Sequence, residues 1–274
     1  MVDNTEKYNS YRIAVPKAFE NIFSHFYFAE NTNTKIITKT FLPSYQTILI
    51  FSFGSKTTLQ SKDNTEIKID KYLLLGPIKQ AFNYDLFPNS KILVVNFKAD
   101  TFYRFFGDIS QNKYQELNSD GLSNENCFMT LWSELYKIKN TKQRIDHILH
   151  FCRPYLQEQN KIAEKLINIK SKFVDPIKLI ADQEQQTERN VQLIHKKQLG
   201  YSAKEINRYQ RFIKAIQLIQ NNTSKSIKVN WLDIINECGY YDQSHLILDF
   251  KNYLNLTPTN YLKFQQNICM VDPD

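Results

Sequence analysis

The stretch Trp231–Leu254, WLDIINECGYYDQSHLILDFKNYL, decides the fold of the C-terminal half. Trp231, Ile234, Ile235 and Cys238 fall at i, i+3, i+4 and i+7, the spacing that gives a helix one apolar face. Gly239 follows at the point where the chain must turn sharply, a place that favours a residue without a Cβ. Asp242 is a good N-cap for a second helix, because its carboxylate accepts the free amides of the first turn. Leu246, Phe250 and Tyr253 then supply that helix with its own apolar stripe. Helix, short glycine-bearing turn and capped second helix predict a helix-turn-helix unit.

A degenerate copy lies 55 residues upstream. Ile180 answers to Ile235, Thr187 to Asp242, Val191 to Leu246 and Lys196 to Lys251, and Leu199-Gly200-Tyr201-Ser202-Ala203 answers to Leu254-Asn255-Leu256-Thr257-Pro258. Here Pro176–Asp182 reads as the supporting helix, Thr187 as the cap, and Val191 and His195 as the inward face of the second helix. Between the copies, Ser202–Gln220 reads as one amphipathic helix with Tyr209, Phe212, Ile213, Ile216 and Ile219 on one side. Such a rod spans roughly 28 Å at about 1.5 Å per residue. One turn of B-DNA is about 34 Å, so two reading helices tied by it could enter successive major grooves. Residues 189–214 hold seven bases and one acid, Glu205. That excess suits an anionic partner, or the wet face of a helix.

Upstream of residue 100 the pattern changes to short apolar runs: Lys35–Phe41, Thr47–Phe53, Glu66–Ile69, Tyr72–Leu75 and Lys91–Phe97. Turn residues separate them, at Pro43-Ser44, Gly54-Ser55, Asp63-Asn64, Gly76-Pro77 and Pro88-Asn89-Ser90. This predicts a small antiparallel sandwich or barrel. A short helical turn at Phe102–Phe106 and helices over Phe128–Lys139 and Lys142–Cys152 follow, with a break expected at Pro154. The charge of +7 only weakly favours an anionic partner. No apolar run reaches membrane-spanning length, residues 1–10 lack the apolar core of a secretory signal, and the four scattered cysteines include no Cys-x-x-Cys pair. The cytoplasm is the expected compartment.

At Gly239-Tyr240-Tyr241-Asp242-Gln243-Ser244-His245-Leu246, then Asp249-Phe250-Lys251, Thr257-Pro258 and Tyr261, the chain resembles the AraC/XylS family of bacterial transcription regulators. Leu199-Gly200-Tyr201-Ser202-Ala203-Lys204-Glu205 looks like the first-unit counterpart of that signature. Phe41-Leu42-Pro43, residues 48–54, Leu75-Gly76-Pro77 and residues 97–107 resemble the cupin-like sensory half of one branch. The resemblance implies that the second helix of each unit reads the major groove. The residues facing DNA would be Arg189, Asn190, Gln192, Leu193 and Lys196 in the first unit. In the second they would be Gln243, Ser244, Ile247, Leu248 and Lys251. Arginine and glutamine suit base edges and lysine suits phosphate. The sequence departs from the family at Leu193 and Leu248, where arginine is common, at His195, where a core aromatic is usual, and at Ala203, where proline is common. A leucine can still meet a thymine methyl.

No enzymatic chemistry is legible. The N-terminal half has a lone histidine, His25, where a cupin metal site would need several convergent ligands. His147 and His150 share a helix face without an evident Cys or carboxylate to complete a site. No Walker loop, Gly-x-Ser-x-Gly or dinucleotide fingerprint is present. The aromatics Phe23, Phe26, Tyr27, Phe28, Phe51, Phe53, Phe82, Tyr84 and Phe87 are expected to build core, with a minority lining a ligand pocket. Ile145, Ile148, Leu149 and Cys152 make a stripe that either pairs two chains or covers the barrel. The expected class is therefore α+β: a small antiparallel cupin-like β-barrel, then an all-α domain with two helix-turn-helix units joined by a long helix. The expected domains are 1–157, for sensing and dimerisation, and 158–274, for DNA binding. The expected function is transcription regulation on double-stranded DNA, without metal or cofactor, with a small-molecule effector and a homodimer left open. The alternative is a ligand- or protein-binding regulatory module whose helical half does not read DNA.

Overall fold

The computed structural model describes residues 8–61, 65–107, 125–169, 175–264 and 268–269. Nine strands come first: β1 (Tyr8–Ala14), β2 (Phe23–Asn31), β3 (Ile37–Phe41), β4 (Ile48–Gly54), β5 (Thr57–Gln60), β6 (Glu66–Ile69), β7 (Tyr72–Leu75), β8 (Phe82–Leu86) and β9 (Ser90–Phe97). They form two sheets, ordered β1-β2-β9-β4-β7 and β3-β8-β5-β6. Every pairing among these nine is antiparallel. A short β10 (Ile268–Cys269) returns from the far end of the chain to pair parallel with β3.

Three helices follow, α1 (Thr101–Phe106), α2 (Glu125–Lys137) and α3 (Thr141–Cys152). They make a third layer on the outer face of the first sheet. Ile48 and Ile50 of β4, with Ile92 and Val94 of β9, point between the sheets. Their neighbours Leu49, Phe51, Leu93, Val95 and Phe97 point the other way, into a core closed by Phe102, Leu131, Leu135, Ile145, Ile148 and Leu149. β4 and β9 are thus buried on both faces, which is why they read as unbroken apolar runs rather than alternating ones. The stripe Ile145–Cys152 is consumed by this layer, so it covers the barrel and is not a surface for a second chain.

The remaining helices are α4 (Lys161–Asn168), α5 (Pro176–Gln183), α6 (Glu188–Leu199), α7 (Ala203–Ser224), α8 (Trp231–Cys238), α9 (Gln243–Leu254) and α10 (Pro258–Phe264). The 55-residue repeat holds to the residue: α5 and α8 start at Pro176 and Trp231, α6 and α9 at Glu188 and Gln243, and their left-handed caps are Gly200 and Asn255. α7 runs four residues past the expected Gln220, because Thr223 and Ser224 turn their hydroxyls onto the carbonyls of Ile219 and Asn221.

Five strands were not foreseen: β1, β2, β5, β8 and the short β10, which lies in a part of the chain expected to be all helical. In β2 a register irregularity between Phe23 and His25 breaks the two-residue period. In β5 two of the three buried positions are threonines, Thr57 and Thr58, whose hydroxyls pair with the Ser52 hydroxyl and the Asp85 carboxylate respectively. The turn expected at Asp63-Asn64 and the side chains of Cys127 and Cys269 lie outside the described residues. Cys152 and Cys238 are buried and in no disulfide.

The aromatic rings of the N-terminal half mostly build core, as expected. Phe23, Phe26, Phe51 and Phe53 lie under the helical layer. Tyr27, Phe82 and Tyr84 instead line a cavity between the sheets of about 10 Å³, room for about one water. At its edge the hydroxyls of Tyr8, Tyr27 and Tyr84 form a closed ring, 3.0, 3.2 and 3.1 Å apart.

Candidate nucleic-acid interface

The second helix of each unit is started by its predicted cap. Thr187 Oγ1 accepts from the Asn190 amide at 3.2 Å, and an Asp242 carboxylate oxygen from the His245 amide at 2.8 Å. Their supporting helices are capped alike, α5 by Asp175 with Pro176 in the first turn and α8 by Asn230. The inward faces are Val191, His195 and Leu199 in α6, and Leu246, Phe250 and Tyr253 in α9, all buried. The first unit rests on a small core of Ile177, Ile180, Ala181 and Val191. The second shares a large one with α7, built around Phe212, Ile216, Ile219, Phe250 and Tyr261.

His195 is the polar exception on an apolar face. Its Nδ1 lies 2.7 Å from the Tyr201 carbonyl, which can only accept, so that nitrogen carries the proton. Burial holds its pKa below the ordinary value of 6.5, against the opposite pulls of the Tyr201 bond and Glu205. The ring stands edge-on to Tyr201, so it serves as the core aromatic that the position needs.

A second polar group locks α9 onto α7. Asp249, fully buried, accepts from Arg208 Nε at 2.6 Å and from Arg211 Nη2 at 3.1 Å. Arg211 also reaches His245 Nε2 at 2.9 Å and lies over the Tyr240 ring. Two of the seven bases that made residues 189–214 look strongly cationic are therefore committed internally. Lys214 is a third, donating to the Glu237 carbonyl. The exposed positive charge that remains is Arg189, Lys196, Lys197 and Lys204.

The residues expected to face DNA sit on the outer faces. Arg189, Gln192, Leu193, Lys196, Gln243, Ser244, Leu248 and Lys251 are exposed. Asn190 and Ile247 are half-buried, and the Asn190 amide is turned back onto Gln186 Oε1 at 2.7 Å. Asn190 is thus better described as bracing the start of α6. Tyr241, 92% exposed beside the first turn of α9, belongs to the same surface and was not singled out from the sequence. Its only signal was a large aromatic in a turn.

The barrel holds this pair of units from behind. Tyr209 of α7 donates to the Pro43 carbonyl at 2.6 Å, and Tyr45 stacks on Tyr209 with centroids 4.5 Å apart. The Ala81 amide donates to the Tyr253 carbonyl, and Lys79 pairs with Glu205 at 2.8 Å. Burial alone would raise the Glu205 pKa, but Lys79 and the Ser202 bonds outweigh it and hold it low. Burial pushes Tyr201 up to about 12, and raises Tyr45 and Tyr209 as well.

His147 does have a carboxylate partner, Glu134 at 2.6 Å, in place of the isolation read from the sequence. Among the described residues no group of three His, Cys, Asp or Glu could hold a metal.

Residues 180–263 match the family model described as a helix-turn-helix domain. This segment is a helix-turn-helix domain. No curated protein matches the chain. Among solved structures, ToxT from Vibrio cholerae is similar over 94% of this chain and 97% of its own, at 13% identity and a TM-score of 0.41. An unsaturated-fatty-acid-bound ToxT from Vibrio cholerae is similar over 100% of each chain, at 14% identity and a TM-score of 0.40. A cupin protein from a Desulfovibrio desulfuricans subspecies is similar over 35% of this chain and 85% of its own, at 11% identity and a TM-score of 0.28. The matched segment takes in α6 to α9 whole, so the second helix of each unit and the strut between them lie inside it.

Proposed function

We propose that this chain is a DNA-binding transcription regulator that reads two adjacent major-groove segments with α6 and α9. One observation carries the reading. Both helices turn their candidate faces to solvent while they stand at the two ends of one strut: α6 runs into α7 through the Gly200 turn, with Ala203 against its small core, and α9 packs its apolar face on α7. That strut has 22 residues and is about 33 Å long, close to the roughly 34 Å of one duplex turn.

We divide the chain into a cupin-like sensory part, 1–157, and a DNA-binding part, 158–274. In support of that division, Gln157 and Gln159 are tied back to α1 by bonds to Arg104 and Asp100, so the crossing is anchored on the barrel side. A small-molecule effector would act at the barrel half. The cavity there is water-sized, so such a ligand would have to part the two sheets or bind at the barrel's contact with α7. A homodimer, a non-enzymatic role and a cytoplasmic site of action complete the proposal. No described helix is long and apolar enough to cross a membrane.

The rival reading, a regulatory module that has stopped reading DNA, has Leu193 and Leu248 as its support. Titration of the full chain against its own upstream DNA, followed by fluorescence anisotropy, separates the two. The regulator reading expects steep weakening with added salt and roughly tenfold loss on Arg189→Ala. Equally weak binding to every duplex, unchanged by that substitution, would favour the rival.

A further inference from the structure

The two exposed leucines are the feature that neither folding nor the general DNA reading explains. Leu193 and Leu248 occupy equivalent positions in the repeat and are 58% and 59% exposed. Neither contributes to a core: Val191 and His195 fill that role in α6, Leu246 and Phe250 in α9. Each is followed three residues later by a lysine, Lys196 and Lys251, one helical turn on and on the same outer face. The rest of the two faces differs. The first offers Arg189 and Gln192, the second Ser244 and Ile247. The shared unit is therefore an outward leucine with a cation one turn away.

We propose that Leu193 and Leu248 are specificity-determining residues, each reading the C5-methyl of a thymine in the major groove. The inference rests on the DNA reading above and names what that surface selects. The thymine methyl is the one methyl group the major-groove edge offers, whereas adenine, guanine and cytosine are marked there by hydrogen-bonding groups. An isobutyl group gains contact against a methyl and strands a polar edge it cannot hydrogen-bond, so it selects for thymine and against the other three bases. The lysine one turn away reaches the backbone and fixes the helix in register. Because α7 sets the separation of the two helices, the preferred site carries two such thymines about one duplex turn, roughly 10 base pairs, apart.

The test uses the full chain and a duplex that it selects from a randomised pool. Each thymine of that duplex is replaced in turn by deoxyuridine, which removes the methyl and nothing else. Two positions about one turn apart should each lose roughly threefold to fivefold in affinity, the worth of one buried methyl. Leu193→Ala should abolish the loss at one position and Leu248→Ala at the other. Both side chains are exposed, so neither change threatens the fold. A tightly bound duplex with no deoxyuridine-sensitive position overturns the proposal and leaves the regulator reading standing, as does sensitivity that survives both substitutions. A pool that yields no duplex bound better than random DNA overturns the regulator reading, and this proposal with it.

Discussion

At residue scale, two glycines that look alike in sequence do different work. Gly200 and Gly239 both close a helix in the left-handed region, with φ of +76° and +75°. A Cβ at Gly239 would meet nothing within 4 Å, while one at Gly200 would lie 2.7 Å from Pro77 Cγ. Gly239→Ala should therefore cost about 1–2 kcal/mol from backbone strain alone. Gly200→Ala should cost more in urea denaturation, because a stiff proline ring must also move. Equal costs would mean that the barrel does not press on the end of α6. His195 gives a second residue-scale expectation. Its folded pKa lies below the ordinary 6.5, so the unfolded chain takes up the proton first as pH falls. The stability it contributes is intact above about 6.5 and is lost as pH drops towards the folded value. His195→Phe should lose less melting temperature than the parent between pH 7 and pH 5. Parallel curves for the two proteins would show that the ring is not held neutral.

At the scale of elements, the second unit is tied to the strut by a buried carboxylate. Asp249 has no solvent to fall back on and holds two arginines of α7. Asp249→Ala should cost about 2–4 kcal/mol, at or below the usual range for breaking a buried pair because both arginines still reach water. Asp249→Asn, which keeps hydrogen-bond acceptance, should cost less. Chemical denaturation monitored by circular dichroism would show it, and a loss under 1 kcal/mol for the alanine variant would contradict the lock. The sequence reading caught the helices with one buried face, as in α8 and α9. It missed β2 and β5, because a bulge disturbs the one and buried threonines disguise the other.

Over the whole molecule, the second unit does not own its core. Leu42 and Tyr45, from the barrel segment between β3 and β4, are buried among Tyr209, Phe212 and Tyr253. Tyr45→Ala should cost about 3 kcal/mol as a large-to-small core change. The effect should appear as faster amide exchange in α7 and α9 with the β4–β9 pairing unchanged. Undiminished protection of α7 would mean that the two halves are energetically separate. If the faster exchange is found, the barrel has a physical means of altering how α9 and its strut are presented, in keeping with the regulatory role proposed above.

From the sequence alone came the repeat, its caps, the strut and the residues that face outward, because those depend on local periodicity and on spacing along one chain. The tertiary structure alone decided which charges are spent. Arg208 and Arg211 looked available for DNA until Asp249, some forty residues later, closed on them. It likewise decided that the α3 stripe covers a sheet and that Tyr45 completes a helical core. Each of those outcomes depends on which surface arrives opposite, and a linear pattern carries no record of that.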